Sequence, residues 1–401
     1  MIEHPRAVAK FRLQNFKAIR DSGTVNFTPL TVLVGNNGVG KSSLIEGLEV
    51  ISLIARDGLD KAFRQWRGFE YVWNRRTLRE PVYTESGREY FSDEMVFKVD
   101  GGFGPGSFNH DVTRTYHVDC SVKPGSSSGT IVFGVDTLSI THHSQPTLEW
   151  NRDDTKTIVQ RLVRSGVPIQ ELSSSRSYPN DSVLAEDESF GLWQFVRLNP
   201  EAMAKEQPVS RVGGYLPLAV DGSNVAEYLL EIHKSDPNAI MGIVETIQTV
   251  LPYLVDLKSK TTSELGRSAY LQLRERDITL PSWMFSTGTL RLMALLALFR
   301  NPLVPPLIVI EEIENGLDPR SIALIVDEIR ELVRTGKSQV ILTTHSPYLL
   351  DLVPLESLMF VERVEGETVF SRPADDESVQ KWSSDFAPGR LYTMGRFRSN
   401  K

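Results

Sequence analysis

The stretch VGNNGVGKSSLIEGL, residues 34–48, sets four glycines, a lysine and a pair of serines in close order after an apolar run. Within it, residues 35–42 read GNNGVGKS and fit the phosphate-loop pattern G-x-x-x-x-G-K-[ST] in full. The apolar LTVLV before it reads as a buried strand, and SSLIEGLEVISLIA after it repeats apolar residues at helical spacing. Strand, glycine loop and helix in that order predict an α/β fold with a phosphate site at the helix N-terminus. Glycines let backbone N–H groups curl round phosphate oxygens, and the helix adds the positive end of its dipole. The candidate nucleotide-binding residues are therefore Gly35, Asn36, Asn37, Gly38, Val39, Gly40, Lys41, Ser42 and Ser43. Lys41 is placed to reach the β and γ phosphates of a bound nucleotide and Ser42 to ligate Mg2+, and such a loop alone suits a kinase, a GTPase or an ATPase.

The chain has 401 residues, 40% hydrophobic and 24% charged, enough to bury a sizeable core in two lobes or a body with an insertion. A net charge of −7 argues against wholesale coating of nucleic acid while leaving room for a local basic patch. The single cysteine, Cys120, excludes an internal disulfide and suits a reducing cytosol. The first 20 residues carry charge throughout and contain no export signal, and TLRLMALLALFR is far shorter than the roughly 20 residues a membrane span needs. A cytoplasmic protein without membrane contact is expected.

Four segments follow from the patterning. Residues 1–80 form the N-terminal lobe with the phosphate loop, and 81–150 alternate as an antiparallel β region, as in EMVFKVD and TYHVDCSV. Residues 151–280 read as a mainly helical insertion, with NVAEYLLEIHKS and NAIMGIVETIQTVLPYLVDL. Residues 281–401 return to α/β character: helix TLRLMALLALF, strand PLIVIEE, helix RSIALIVDEIRELVRTG and strand SQVILTTH. The two ends thus make one α/β head interrupted by a β-plus-helical insertion. No segment sustains heptads, so no long coiled-coil arm is expected.

Hydrolysis needs carboxylates, and LIVIEEIENGLDP supplies them at the end of an apolar strand. Glu311 is placed to reach the metal and Glu312 to polarise the attacking water. Together with FSTGTLR (285–291) and ILTTHSP (341–347), these segments resemble the ATP-binding-cassette class of P-loop ATPases, in the branch of RecF, SMC and OLD proteins. The resemblance makes residues 35–42 the Walker A loop and Glu311 with Glu312 the end of Walker B. It makes Ser286 and Gly288 the signature motif, Asp318 the D-loop aspartate and His345 the switch histidine. It also implies a mixed β-sheet with flanking helices, and ATP held between two heads so that the signature of one copy completes the site of the other. Two departures stand out: Glu311 occupies the usual Walker B aspartate position and Ile313 a position where proline is common, and the signature reads STGT rather than SGGQ.

Spacing selects the branch. Ser42 and Ser286 lie 286 − 42 = 244 residues apart, too far for a compact transporter cassette, and only 401 − 345 = 56 residues follow His345, too few for the Toprim nuclease domain of OLD proteins. The closest resemblance is to compact RecF-like ATPases of the AAA15 type, and it extends to ARDGLDKAFRQWRGFEYVW, GSNVAEYLLEIHKSDP and RLYTMGRF. It implies a Mg2+-dependent ATP hydrolase whose heads dimerise on ATP. Two roles for the cycle remain open: control of a separately encoded nuclease or toxin effector in prokaryotic anti-phage defence, and RecF-like action on DNA in repair or recombination.

Three weaker signals are weighed against plainer readings. GSSSG at 125–129 matches a nucleophile elbow but precedes a strand-like run, against that motif's strand-to-helix turn. His142 and His143 lack further ligands at metal spacing. Residues 61–80 interleave Lys61, Arg64, Arg67, Arg75, Arg76 and Arg79 with Phe63, Trp66, Phe69, Tyr71 and Trp73. That mixture suits nucleic-acid contacts, but an aromatic core with outward arginines is the better reading. Gln65, in the same segment, is a loose candidate for the Q-loop glutamine.

Overall fold

The computed structural model describes residues 7–77, 82–84, 87–89, 94–103, 114–124, 131–142, 145–151, 188–209, 216–262 and 267–397. Residues 125–129, His143 and Arg79 lie outside the described residues. The chain divides into two compact units, the first made of Met1–Trp193, Met359–Arg372 and Arg398–Lys401, the second of Gln194–Leu358 and Pro373–Phe397. It is a mixed α/β protein with several sheets.

In the first unit, strand Lys10–Phe16 pairs antiparallel with Ile19–Asp21 and Val25–Asn26 on one side and with Met95–Phe103 on the other. Arg114–Pro124, Ile131–His142 and Gln145–Asn151 extend the sheet, each antiparallel to the strand before it. The two-residue period of a strand sorts its side chains. Phe11, Leu13, Phe97, Val99, Val118 and Cys120 are fully buried on one face. On the other face the cross-strand partners are charged: Arg12 meets Asp21 at 2.6 Å, Lys98 pairs with Asp119 and His117 with Asp100. This face is a solvated ladder, which explains how so polar a segment still forms a sheet.

Strand Leu30–Val34 is buried along its whole length and leads into helix Lys41–Asp57. The strand neighbours Leu358–Val364, which turns back antiparallel into Glu367–Ser371. The fourth glycine of the opening stretch, Gly47, lets the helix pack closely on the long sheet: a Cβ there would lie 2.6 Å from Leu13 Cδ2. In the basic-aromatic segment, Phe63, Phe69 and Trp73 are buried and Tyr71 is exposed, whereas Lys61, Arg64, Arg67, Arg75 and Arg76 are exposed. The aromatics are largely spent on the core, with Trp66 edge-on to Phe16 at 6.1 Å and Lys17 Nζ 5.0 Å from the Trp66 ring centre. Gln65 is exposed on the short 3-10 turn Arg64–Trp66.

In the second unit, Gln194–Val196, Leu307–Ile310 and Gln339–Thr344 form parallel strands in that order, pairing Gln194 with Ile308 and Ile308 with Val340. All three are buried throughout, as strands covered on both faces must be. Helices Thr287–Phe299 and Pro319–Arg334 connect and flank them. The first is buried almost all round; the second buries a single stripe of Ile322, Ile325, Val326, Ile329 and Leu332, the 3.6-residue period of its sequence.

The stretch expected to be mainly helical contains helices Val225–Ser235 and Pro237–Gln248, but also an antiparallel sheet of Leu254–Thr261, Ser268–Glu275 and Ile278–Pro281. Ser268–Glu275 alternates strictly, burying Ala269, Leu271 and Leu273. A period of two on a half-buried surface selects a strand. No helix among the described residues is long and apolar enough to cross a membrane.

Candidate functional site

The phosphate loop is built in the first unit. Gly40 takes a left-handed conformation (φ 115°), and a Cβ there would lie 2.8 Å from Thr368 Oγ1 and Cγ2. A Cβ on Gly35 would lie 2.0 Å from the Val361 carbonyl oxygen. The glycines therefore serve two ends: one supplies the backbone turn, and both allow the hairpin of Leu358–Val364 and Glu367–Ser371 to press against the loop. Thr368 fastens this contact by donating its hydroxyl to the Val39 carbonyl at 2.8 Å. The N-cap residue of the helix that begins at Lys41 is Gly40, which offers no side-chain cap, and the first turn carries no acidic residue. Its leading N–H groups thus point to an end suited to an anion. Lys41, only 7% exposed, donates to the carbonyls of Gly35 at 2.7 Å and Asn36 at 2.9 Å, so its ammonium already lies along the loop. Ser42 and Ser43 follow in the first helical turn.

The acidic residues are built in the second unit, where strand Leu307–Ile310 ends. The Glu311 N–H donates to the Val196 carbonyl at 3.0 Å, and the Glu311 side chain, 12% exposed, forms an ion pair with Arg197. Arg197 follows strand Gln194–Val196, so the parallel pairing itself brings cation and carboxylate together. Glu312 is exposed and has φ 49°, a left-handed conformation unusual for a residue with a Cβ. Its N–H donates to Thr343 Oγ1 at 2.8 Å and its carboxylate accepts from the Asn315 amide. His345 stands just beyond strand Gln339–Thr344, its N–H donating to Glu314 Oε1 at 2.5 Å.

Ser286 caps helix Thr287–Phe299, accepting from the Thr289 N–H at 3.0 Å. A Cβ on Gly288 would lie 2.5 Å from the Gly316 carbonyl oxygen, so glycine lets the start of this helix approach the turn after the carboxylates. Arg291, on the same helix, feels the negative charge of Glu312; burial is the larger influence and pushes its pKa down. Asp318 caps helix Pro319–Arg334, accepting from the N–H groups of Arg320 and Ser321 and from the Ser321 hydroxyl at 2.6 Å. The Ser321 hydroxyl and these N–H groups hold the Asp318 carboxyl below the usual carboxylate range. Its folded pKa lies below the unfolded one, so its stabilisation is present above the unfolded value and fades as pH falls through the folded one. Asp318→Ala should destabilise the protein by about 1 kcal/mol, the usual value of a helix cap, read as a lower urea midpoint at pH 7. The gap between variant and wild type should close below about pH 4. A gap that persists unchanged at acid pH would contradict the charged-cap account.

The structure thus groups Glu311, Glu312, His345, Ser286, Gly288 and Asp318 within the second unit, and residues 35–43 within the first. Three participants escaped the sequence reading. Arg197 lies 114 positions from Glu311, and Thr343 and Glu314 each make contacts spanning 31 positions. No local pattern signals such pairs. Arg197→Ala should lower stability by about 1–3 kcal/mol, less than for a fully buried pair because a third of the Arg197 side chain meets water. A double-mutant cycle with Glu311→Gln, followed by urea unfolding, measures this coupling, and a zero coupling energy would refute it.

Oxygen donors suit Mg2+, and the Ser42 hydroxyl in the first unit and the Glu311 carboxylate in the second are each of that chemical kind. In the second unit the Glu311 carboxylate is engaged by the Arg197 guanidinium.

A phosphate loop on a strand–helix junction in the first unit, and paired acids and a histidine at the ends of parallel strands in the second, are features of an ATPase domain of the AAA type. The family model described as "AAA domain, putative AbiEii toxin, Type IV TA system" matches residues 121–351, more than half of the chain, and the chain belongs to that family. A second model, "AAA ATPase domain", matches residues 7–63 around the phosphate loop. The fold is similar to that of an Smc head domain with an extended coiled coil from Pyrococcus furiosus, solved bound to the C-terminal domain of ScpA. That comparison gives a TM-score of 0.55 at 12% identity, covering 95% of this chain and 100% of that one. It is also similar to an SmcHead bound to the C-winged helix domain of ScpA, with a TM-score of 0.54 at 13% identity, covering 91% and 97%. No curated protein sequence matches the chain.

Proposed function

We propose that the protein is a Mg2+-dependent ATP hydrolase whose ATP-bound heads pair with one another, and that this cycle controls a separately encoded nuclease or toxin effector in prokaryotic anti-phage defence. The observation that carries the hydrolase reading is the Glu312 turn. Its exposed carboxylate is held by Asn315 and its backbone by Thr343, next to the loop bearing His345. In this scheme Lys41 and the loop N–H groups hold the phosphates, Glu312 takes the proton of the attacking water, and His345 senses the γ-phosphate. Mg2+, held by Ser42 and Glu311, would neutralise charge on the β and γ phosphates. Ser286 and Gly288 of the second head would complete the site, with Asp318 ordering the helix beside it.

The effector reading is supported by the toxin–antitoxin description of the family and by the capture of SMC heads with a separate protein. It gains further from the burial of Phe63, Phe69 and Trp73, which removes most of the aromatic platform that a DNA-stacking role for residues 61–80 would use. Co-purification of the tagged full chain from its native host, with and without ATP, tests the choice. A stoichiometric protein retained only with ATP is expected. Recovery of salt-sensitive DNA with no protein would instead favour the repair role.

A further inference from the structure

We infer that Glu314 is a positioning residue that ties the turn carrying Glu312 to the loop carrying His345, so that the two groups assigned to the reaction keep one register. The inference rests on the ATP-hydrolase reading above for its catalytic consequence, but the tie itself stands on geometry.

The parallel ladder between Leu307–Ile310 and Gln339–Thr344 ends at the pair Ile310 and Leu342. Beyond it the backbones no longer hold one another by regular pairing, yet Glu312 and His345 both lie past that point. Three hydrogen bonds replace the ladder. The Glu312 N–H donates to Thr343 Oγ1 at 2.8 Å, the Ile313 N–H to the Thr343 carbonyl at 3.4 Å, and the His345 N–H to Glu314 Oε1 at 2.5 Å. Of these, the bond to Glu314 alone reaches the residue bearing the histidine ring, and it alone has a carboxylate acceptor, the stronger kind.

The turn around Glu314 is rigid where it must be. Ile313 is buried between the exposed Glu312 and the half-buried Glu314, and Thr343 and Thr344 are almost fully buried. The isoleucine at a position where proline is common now has a reason: its N–H is a donor in the link, and proline has none. Leu317 closes the turn by donating to the Glu314 carbonyl at 3.1 Å. The second carboxylate oxygen of Glu314 is buried with no hydrogen-bond partner among the described residues. A carboxylate held in so incompletely satisfied a place costs stability unless the bond it does make is needed.

The test uses the full chain as wild type, Glu314→Ala, Glu314→Gln and Glu312→Gln. Two quantities are read: steady-state ATP turnover, and amide hydrogen exchange of the peptide covering 340–350. Glu314→Ala should speed exchange at that peptide about tenfold to a hundredfold and lower kcat by a similar factor, with KM for ATP within about twofold. Glu314→Gln retains an oxygen acceptor for the His345 N–H and should restore both readouts to within about threefold of wild type. Wild-type exchange in Glu314→Ala would overturn the inference, and so would a glutamine variant as impaired as the alanine variant. If Glu314→Ala does not fold, Glu314→Asp takes its place: it keeps the charge but draws the acceptor back from the His345 N–H, so faster exchange at 340–350 is expected and wild-type exchange would overturn the inference. Failure of the hydrolase reading would look different: Glu312→Gln would leave turnover unchanged, while the exchange result would still decide the tie.

Discussion

Glu312→Gln should reduce ATP turnover by about 10²- to 10⁴-fold while leaving ATP binding intact, the loss expected when a general base becomes an amide. The geometry makes this a clean substitution. The Glu312 backbone is held by the Thr343 hydroxyl and its side chain by the Asn315 amide, and glutamine can still accept from that amide. The substitution removes the carboxylate's charge and with it the ability to take a proton, while keeping the shape of the side chain. Because ATP then persists, the variant should also accumulate as a dimer in the presence of Mg2+ and ATP, visible by size-exclusion chromatography with light scattering. Single-turnover hydrolysis measured beside nucleotide binding separates the two effects. Unchanged turnover would remove Glu312 from the reaction, and a monomer under saturating ATP would remove head pairing.

Lys41→Ala should weaken ATP binding by about a hundredfold, the value of one or two hydrogen bonds from a charged donor, and abolish detectable turnover. Lys41 is buried, with its ammonium on the carbonyls of Gly35 and Asn36. The lysine thus braces the loop as well as supplying a cation, and its loss removes both. Titration calorimetry with ATP and with ADP should show the larger loss for ATP, whose γ-phosphate the lysine is placed to reach. Equal affinity in variant and wild type would mean that the backbone N–H groups alone carry the binding.

Much of this head was legible in the sequence because its decisive parts are local. Residues 35–42 fit their pattern over eight consecutive positions, and the burial of Leu30–Val34 follows from its own apolar run. The periodic helix Pro319–Arg334 and the strand preceding the paired acids were readable for the same reason. Where reading failed, the cause was competition between periods. The alternation of Ser268–Glu275 is short and follows two helical segments, so the sequence pattern merges it with a helical insertion.

The sequence by itself determined the phosphate loop, the order of strand and helix around it and the acids and histidine at strand ends, since each is written in neighbouring residues. Only the tertiary structure decided which partner each acid takes. Glu311 pairs with Arg197 across 114 positions, and Glu312 and Glu314 are tied to the histidine loop across 31. Parallel strand pairing brings those groups within a few ångströms of one another. A hydrogen bond or ion pair depends on that distance and leaves no period in the chain.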